Sequence, residues 1–318
     1  MRKVSVQVNK GVFLETSSTR VAFDPLTLKG KKPDLILVSH AHRDHYSPSL
    51  LRKVSQTTPI LMSTASKRII DPHGTLRNVR EINPGETAEF NGIRVEAFHA
   101  GHILGSLQFR LEIAGIRVVY TGDFNMEKRV ILEPGKPVKG DILFIDATYG
   151  LPIYVFPSRK ELYSKLLSLI KEDDGEVVLK ARKLGVAQEV TALISMATRL
   201  PVLVEPEIAI YNQVFEEFGE FLGRYAISDT PTPGAPLVAR LSRKFPRKIR
   251  TISLTGWATR GGLPLSSHGD FKQLVDYVRE SNPQVVVPVC GFRKDFAAYV
   301  SGELGFQAVY SDEFILNM

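Results

Sequence analysis

The chain has 318 residues, 43% of them hydrophobic, with a formal net charge of +7 and a pI near 9.3. That length supports one elaborated domain or two modest ones, and the single cysteine, Cys290, excludes an intrachain disulfide and points to a reducing compartment. No apolar run approaches the roughly 18–20 residues that span a bilayer, and the N-terminus alternates like a strand without the apolar core of a signal peptide, so we expect a cytoplasmic protein without a membrane partner.

In chain order, residues 4–8 and 11–15 read as paired strands joined by Asn9-Lys10-Gly11, and 20–23 as a third ending at Asp24-Pro25. Residues 35–38 are a short apolar run, the mark of a buried strand. His40, His42, Asp44 and His45 follow at once. Side chains two apart leave a strand on the same face, so His40 and His42 can chelate one cation while the following turn aims Asp44 and His45 at a second. A lone histidine is usually a surface or packed residue. Three histidines and an aspartate within six residues are hard to explain as packing, and imidazole with carboxylate suits zinc, with manganese the alternative.

A short helix over 48–54 and a strand over 59–62 come next, then β-rich segments at 94–98, 107–113 and 117–120 and a buried strand at 141–146. From residue 158 the pattern changes. Helices are expected over 160–171, 187–198 and 215–221, alternating with strands at 177–180 and 202–204. A proline-rich linker spans 228–236, and the pattern of the first half returns with a strand at 251–254, a helix at 271–280 and a strand at 285–289. Strands with interspersed helices and no internal repeat argue for a layered α/β protein. We expect an inserted α/β domain at 156–249 between a first part of the core at 1–155 and a C-terminal part at 250–318.

Further chemistry lies at strand ends. Phe98 to Ser106 holds His99 and His102 in a glycine-rich turn, and His102, inside that turn, is the better ligand candidate. Tyr120-Thr121-Gly122-Asp123 ends another strand in a carboxylate that can bridge two cations. Basic residues cluster at Lys180, Arg182 and Lys183, through 240–250 (Arg243, Lys244, Arg247 and Lys248 among them), and at Arg293-Lys294. Any one such run is usually a solvated face, whereas several together suit a track of phosphates. Trp257 and Phe292 are candidates for base stacking.

The run His40-x-His42-x-Asp44-His45 resembles the signature of the metallo-β-lactamase superfamily, and Ile145-Asp146-Ala147-Thr148-Tyr149-Gly150 resembles the boundary at which its β-CASP nucleases carry an inserted cap. Thr148-Tyr149-Gly150-Leu151-Pro152-Ile153-Tyr154, together with Gly256-Trp257 and Arg260, is similar to the ligase-associated DNA exonucleases. The resemblance implies an αββα metallo-β-lactamase sandwich with a small α/β cap and a two-metal site. His40, His42 and His102 would hold one ion, Asp44 and His45 the other, with Asp123 bridging and Asp24 orienting the histidines. Gly185-Val186-Ala187-Gln188-Glu189 and Ser267-His268-Gly269-Asp270 match two cap motifs, implying His268 as general acid and Glu189 as the residue that orients it. Cys290 stands where RNA-acting members usually have histidine and DNA-acting ones often valine; it is either a sulfur ligand of the second metal or a small packed side chain. The implied activity is hydrolysis of DNA phosphodiesters in repair or processing, in association with a DNA ligase or helicase. An RNA nuclease of the same fold, and an inactive nucleic-acid-binding scaffold, are the alternatives.

Overall fold

The computed structural model describes residues 3–28, 30–172, 175–258 and 262–317, and its chain divides into two compact units. The first comprises Met1–Met126, Gly135–Tyr154 and Gly269–Met318. It holds two seven-stranded sheets. One runs in the order Glu313–Asn317, Lys3–Val8, Val12–Glu15, Arg20–Phe23, Leu35–Leu37, Ile60–Met62, Val79–Glu81. The other runs Gln307–Ala308, Val285–Val289, Ile142–Asp146, Ile116–Tyr120, Leu107–Ile113, Ile93–His99, Thr87–Phe90.

Two-residue periodicity explains how the sheets stack. Leu35 and Leu37 point into the core shared by both sheets, with Val95, Leu107, Phe109, Val118 and Phe144 opposite, while Ile36 and Val38 face outward onto Leu51 and Val54 of the Pro48–Val54 helix. On the other outer face, Val119, Leu143, Ile145 and Val286 meet Leu274, Tyr277, Val278, Phe296 and Val300 from the helices Phe271–Ser281 and Arg293–Gly302. This is the αββα sandwich the sequence led us to expect. Among the described residues no helix is long and apolar enough to cross a membrane.

The second unit, Glu127–Pro134 with Val155–His268, is built on a parallel six-stranded sheet. Its strand order is Ala226–Ile227, Leu203–Val204, Leu237–Arg240, Val177–Ala181, Arg250–Leu254, Gly262–Leu263. Leu179 and Ala181 pack on one face against Leu162, Leu166, Val186 and Val190, and Val178 on the other against Leu237 and Ala239. The expected boundary at 249 therefore moves. The Arg250–Leu254 strand pairs in parallel with Val177–Ala181, so the charged run at 241–249 interrupts this sheet without leaving it, and the unit runs on to His268. The expected helix at 215–221 also moves, to Pro206–Glu217, because proline takes the first helical position, where its missing N–H costs nothing. The strand Leu237–Arg240, just past the proline-rich linker, carries no clear signal in the sequence pattern.

Candidate metal centre

The ligand residues sit where strands of both sheets end. Leu35–Leu37 delivers His40, His42 and His45; the turn after Ile93–His99 delivers His102; Ile116–Tyr120 delivers Asp123. Two local devices hold these ends together. Ser106 Oγ accepts from the backbone N–H groups of His102 and Ile103 at 3.1 and 3.2 Å, closing the glycine turn. Leu107 N–H donates to the Ser39 carbonyl at 2.9 Å, tying one sheet to the other beside His40. Gly122 turns at φ +52°, and a Cβ there would lie 2.7 Å from Ser39 Cβ, so only glycine lets Asp123 approach this closely.

Four donor atoms converge. His42 Nδ1 lies 3.2 Å from His40 Nε2 and 2.9 Å from His102 Nε2, and Asp123 Oδ2 lies 3.4 and 3.5 Å from the same two nitrogens. All four residues are buried. A tetrahedral zinc with nitrogen ligands at about 2.0–2.1 Å would separate its ligand atoms by about 3.3–3.4 Å. The observed spacing fits that edge. The other Asp123 oxygen, Oδ1, lies 3.3 Å from His45 Nε2, so this carboxylate faces two histidine groups at once.

Asp24 fixes the rings from behind. Its Oδ1 accepts from Ser39 N–H at 2.7 Å; its Oδ2 accepts from Ser39 Oγ at 2.5 Å and Tyr120 OH at 2.9 Å and lies 2.8 Å from His45 Nδ1. Ser39 Oγ in turn is 2.9 Å from His40 Nδ1. Each ring thus has one nitrogen engaged and the other aimed at Asp123, an arrangement that selects the ligating tautomer. Electrostatics sharpen this. Burial, and then the neighbouring His45, push His40 below the ordinary histidine range, towards the neutral form that binds metal. At His45 burial works downward, but Asp123 and Asp24 outweigh it and hold the ring well above that range, so the carboxylates demand a cation.

The remaining expected positions are less tightly gathered. Asp44 is exposed and joins no group of three or more donors drawn within 4.8 Å of one another among the described residues. Cys290 follows the Val285–Val289 strand at φ +61°, open to solvent on one side, and belongs to no such group. Burial of its inner side raises its thiol well above the ordinary range, and the charges of Asp146, Asp123, Asp24 and Asp44 raise it further. His99 and His73 are exposed.

In the second unit, Glu189 is buried near the start of the Val186–Ala197 helix. The resemblance placed it beside His268. Here its carboxylate takes the Tyr163 hydroxyl, Arg129 at 3.4 Å and Arg159 at 3.5 Å, and Arg159 also donates to the Ser266 carbonyl. Arg159, a guanidinium that no motif announced, thus ties Glu189 to the segment that carries the half-buried His268. Burial depresses Arg129 below the usual guanidinium range, partly offset by Glu189. Among the basic residues, Lys180, Arg182 and Arg243 are half-buried and Lys183, Lys244, Arg247, Lys248 and Lys294 exposed. Arg293 binds Asp312 and the carbonyls of Pro288, Tyr310 and Ser311, a strap on the C-terminal segment. Arg260 lies outside the described residues. Phe292 stacks on Tyr154 at 5.6 Å, and Trp257 is exposed.

An αββα sandwich with histidines and a shared carboxylate at its strand ends defines a metallo-β-lactamase fold, and residues 12–152 match the beta-lactamase superfamily domain. Residues 12–152 carry a domain of this superfamily, and proteins named as endoribonucleases are among the chain's relatives. A probable DNA ligase of Opitutus terrae is 30% identical over 283 residues, which is 82% of this chain and 27% of that protein. An RNase J-like protein of Methanocaldococcus jannaschii is 30% identical over 61% of this chain and 51% of its own length. Cleavage and polyadenylation specificity factor 73 of Drosophila melanogaster is 29% identical over 51% of this chain and 28% of its own. The chain thus spans between a quarter and a half of these relatives. A crystal structure of a protein of unknown function from Enterococcus faecalis V583 shares the fold over the whole of both chains, with a TM-score of 0.70 at 12% identity.

Proposed function

We propose that the protein is a metal-dependent hydrolase of nucleic-acid phosphodiesters, acting on DNA as an exonuclease in repair or processing. The observation that carries this reading is the buried quartet of His40, His42, His102 and Asp123, whose ligand atoms are spaced as one metal ion requires. His45 and Asp44 would take a second ion, with the Cys290 sulfur as a further ligand, and Asp123 would serve both. Two divalent ions, zinc in the first instance and manganese as the alternative, would supply Lewis-acid charge and an activated water when bound. The chain's own residues do the rest. Asp24 and Ser39 keep the imidazoles in their ligating tautomers; His268 hands a proton to the leaving oxygen; and Arg159, held by Glu189, fixes the segment that carries it. Lys180, Arg182, Lys183, Arg243, Lys244, Arg247, Lys248, Arg260 and Lys294 neutralise strand phosphates, as polyanion binding requires.

DNA is favoured because the similarity to the probable DNA ligase runs through both units of this chain, which also suggests a ligase or helicase as partner. RNA is the second reading, supported by relatives named as RNase J-like and as endoribonucleases. Digestion of end-labelled DNA and RNA strands of one sequence, each with zinc and with manganese, separates the two. Faster loss of mononucleotides from DNA is the expected result. Faster cleavage of RNA overturns the DNA assignment, and no cleavage of either with full metal occupancy overturns the enzyme.

A further inference from the structure

The geometry points to a built phosphate-binding pocket in the second unit, formed at the carboxyl ends of the Val177–Ala181 and Leu237–Arg240 strands and taking a phosphate group carried by a nucleotide. It rests on the nucleic-acid reading above but narrows it from a diffuse basic face to one cavity. The cavity holds about 600 Å³ and is lined by Arg182 and Lys183 from one crossing loop and Arg240, Ser242, Arg243 and Lys244 from the other. The two strands are parallel neighbours, and from Leu237–Arg240 the chain crosses to the opposite side of Val177–Ala181 to form Arg250–Leu254. Loops at such a switch diverge and leave a crevice at the carboxyl edge, where α/β sheets take their ligands.

What separates this cavity from an ordinary charged surface is that its cations are fixed from below. Glu205, at the end of the Leu203–Val204 strand and 2% exposed, accepts from Arg243 at 2.6 Å and from the Arg240 backbone N–H at 2.6 Å. Arg243 lies over the Phe245 ring at 4.9 Å, and Glu207 pairs with Lys183 at 3.2 Å and with Arg240. Burying a carboxylate costs free energy that only well-placed partners offset, and Glu205 finds them in the Arg243 guanidinium and the Arg240 N–H. Here it anchors Arg243, whose amino groups also meet the Asp229 carboxylate and carbonyl, so the loop that carries Ser242 and Lys244 is held in place; five cations stand against Glu205, Glu207 and Asp229, an excess of positive charge. The exposed Lys244 ammonium and the Ser242 hydroxyl on that loop are the kind of donors that meet phosphate oxygens. The pocket would therefore govern how tightly a strand is held, not the breaking of the bond.

The test uses the full chain stripped of metal with chelator, so that nothing is cut. Binding of a fluorescent 20-nucleotide single strand is followed by anisotropy across a salt series, with free dAMP as competitor. Lys244→Glu and Ser242→Glu alter exposed positions at the mouth and spare the Glu205–Arg243 pair, so both variants should unfold at the wild-type urea midpoint. The expected result is a Kd raised about 10-fold and a salt slope reduced by about 0.7 for Ser242→Glu and about 1.4 for Lys244→Glu, since each unit of charge facing a single-strand phosphate contributes about 0.7. Competition by dAMP at millimolar concentration that both variants abolish would identify a nucleotide's own phosphate as the ligand; insensitivity to dAMP with weakened strand binding would identify the backbone phosphate. Unchanged Kd and slope in both variants overturn the pocket. A chain that binds in this way yet never cuts would sink the nuclease and leave the pocket standing, whereas a chain that cuts with both variants binding like wild type sinks the pocket alone.

Discussion

Asp24→Asn is the substitution whose consequences the structure fixes most fully. The side chain is 3% exposed and its two oxygens serve Ser39 N–H, Ser39 Oγ, Tyr120 OH and His45 Nδ1. An amide can keep only one acceptor. The cheaper orientation leaves its oxygen where Oδ2 serves three groups and turns its NH2 towards Ser39 N–H, stranding that donor at a cost of about 1–3 kcal/mol. The three bonds that remain lose their charge assistance, at roughly 0.5–1 kcal/mol each. Together these predict a loss of about 3–5 kcal/mol in the metal-free protein, read from urea unfolding. Metal binding should weaken as well, because the bond that orients His45 and the relay through Ser39 to His40 both lose the carboxylate's charge; a 10–100-fold drop in zinc affinity is expected from chelator competition. A loss below about 1 kcal/mol, with zinc affinity within about twofold of wild type, would show that Asp24 neither braces the strand ends nor orients the rings.

His42→Ala removes the donor that touches both His40 and His102, so zinc affinity should fall by roughly 100-fold or more and hydrolysis with it, while the metal-free urea midpoint barely moves; metal analysis of the desalted protein checks it. Gly291→Ala should cost about 2–4 kcal/mol, because φ is +50° and the new Cβ would meet backbone atoms of Ala147 and Thr148 at 2.3 and 2.4 Å. Gly302→Ala, at the end of a helix with nothing within 4 Å, should be neutral or stabilise by up to about 1 kcal/mol in the same assay. Asp141 is held below the usual carboxylate range by Arg117, which stays half-exposed, so the pair contributes only about 0.5 kcal/mol. That stability is present above the ordinary carboxylate pKa and lost as pH falls through the lowered one, so Asp141→Asn should trail wild type at pH 7 and match it in strong acid.

What the sequence made legible was whatever depends on spacing within a few residues. His40, His42 and His45 could be read because one strand end presents them together, and Leu35 to Val38 because alternation by twos decides which side chains meet the core and which the Pro48–Val54 helix. His102 and Asp123 were readable as candidates, but their convergence on His42 is made by Gly122 packing on Ser39 and by Leu107 bonding to the Ser39 carbonyl, contacts across sheets that carry no local pattern. Ser39 and Tyr120 were missed for the same reason: a serine before a histidine and a tyrosine ending a strand become part of the site only through Asp24, which is distant from both along the chain. The boundary at 249 falls inside the second unit because the strand at 251–254 reads like a return to the pattern of the first half, whereas its parallel pairing with Val177–Ala181 is decided by a partner far back in the chain. The surroundings of Glu189 carry no local pattern either. A motif supplied the carboxylate, and two buried guanidiniums, Arg129 from a loop and Arg159 from the first turn of a helix, pair with it from positions no motif marks. Two cations sit on one buried carboxylate, with Tyr163 donating to the same group, and Arg159 carries the connection on to the Ser266 carbonyl, so the motif acid is tied to the histidine segment by a cluster whose members are scattered along the chain.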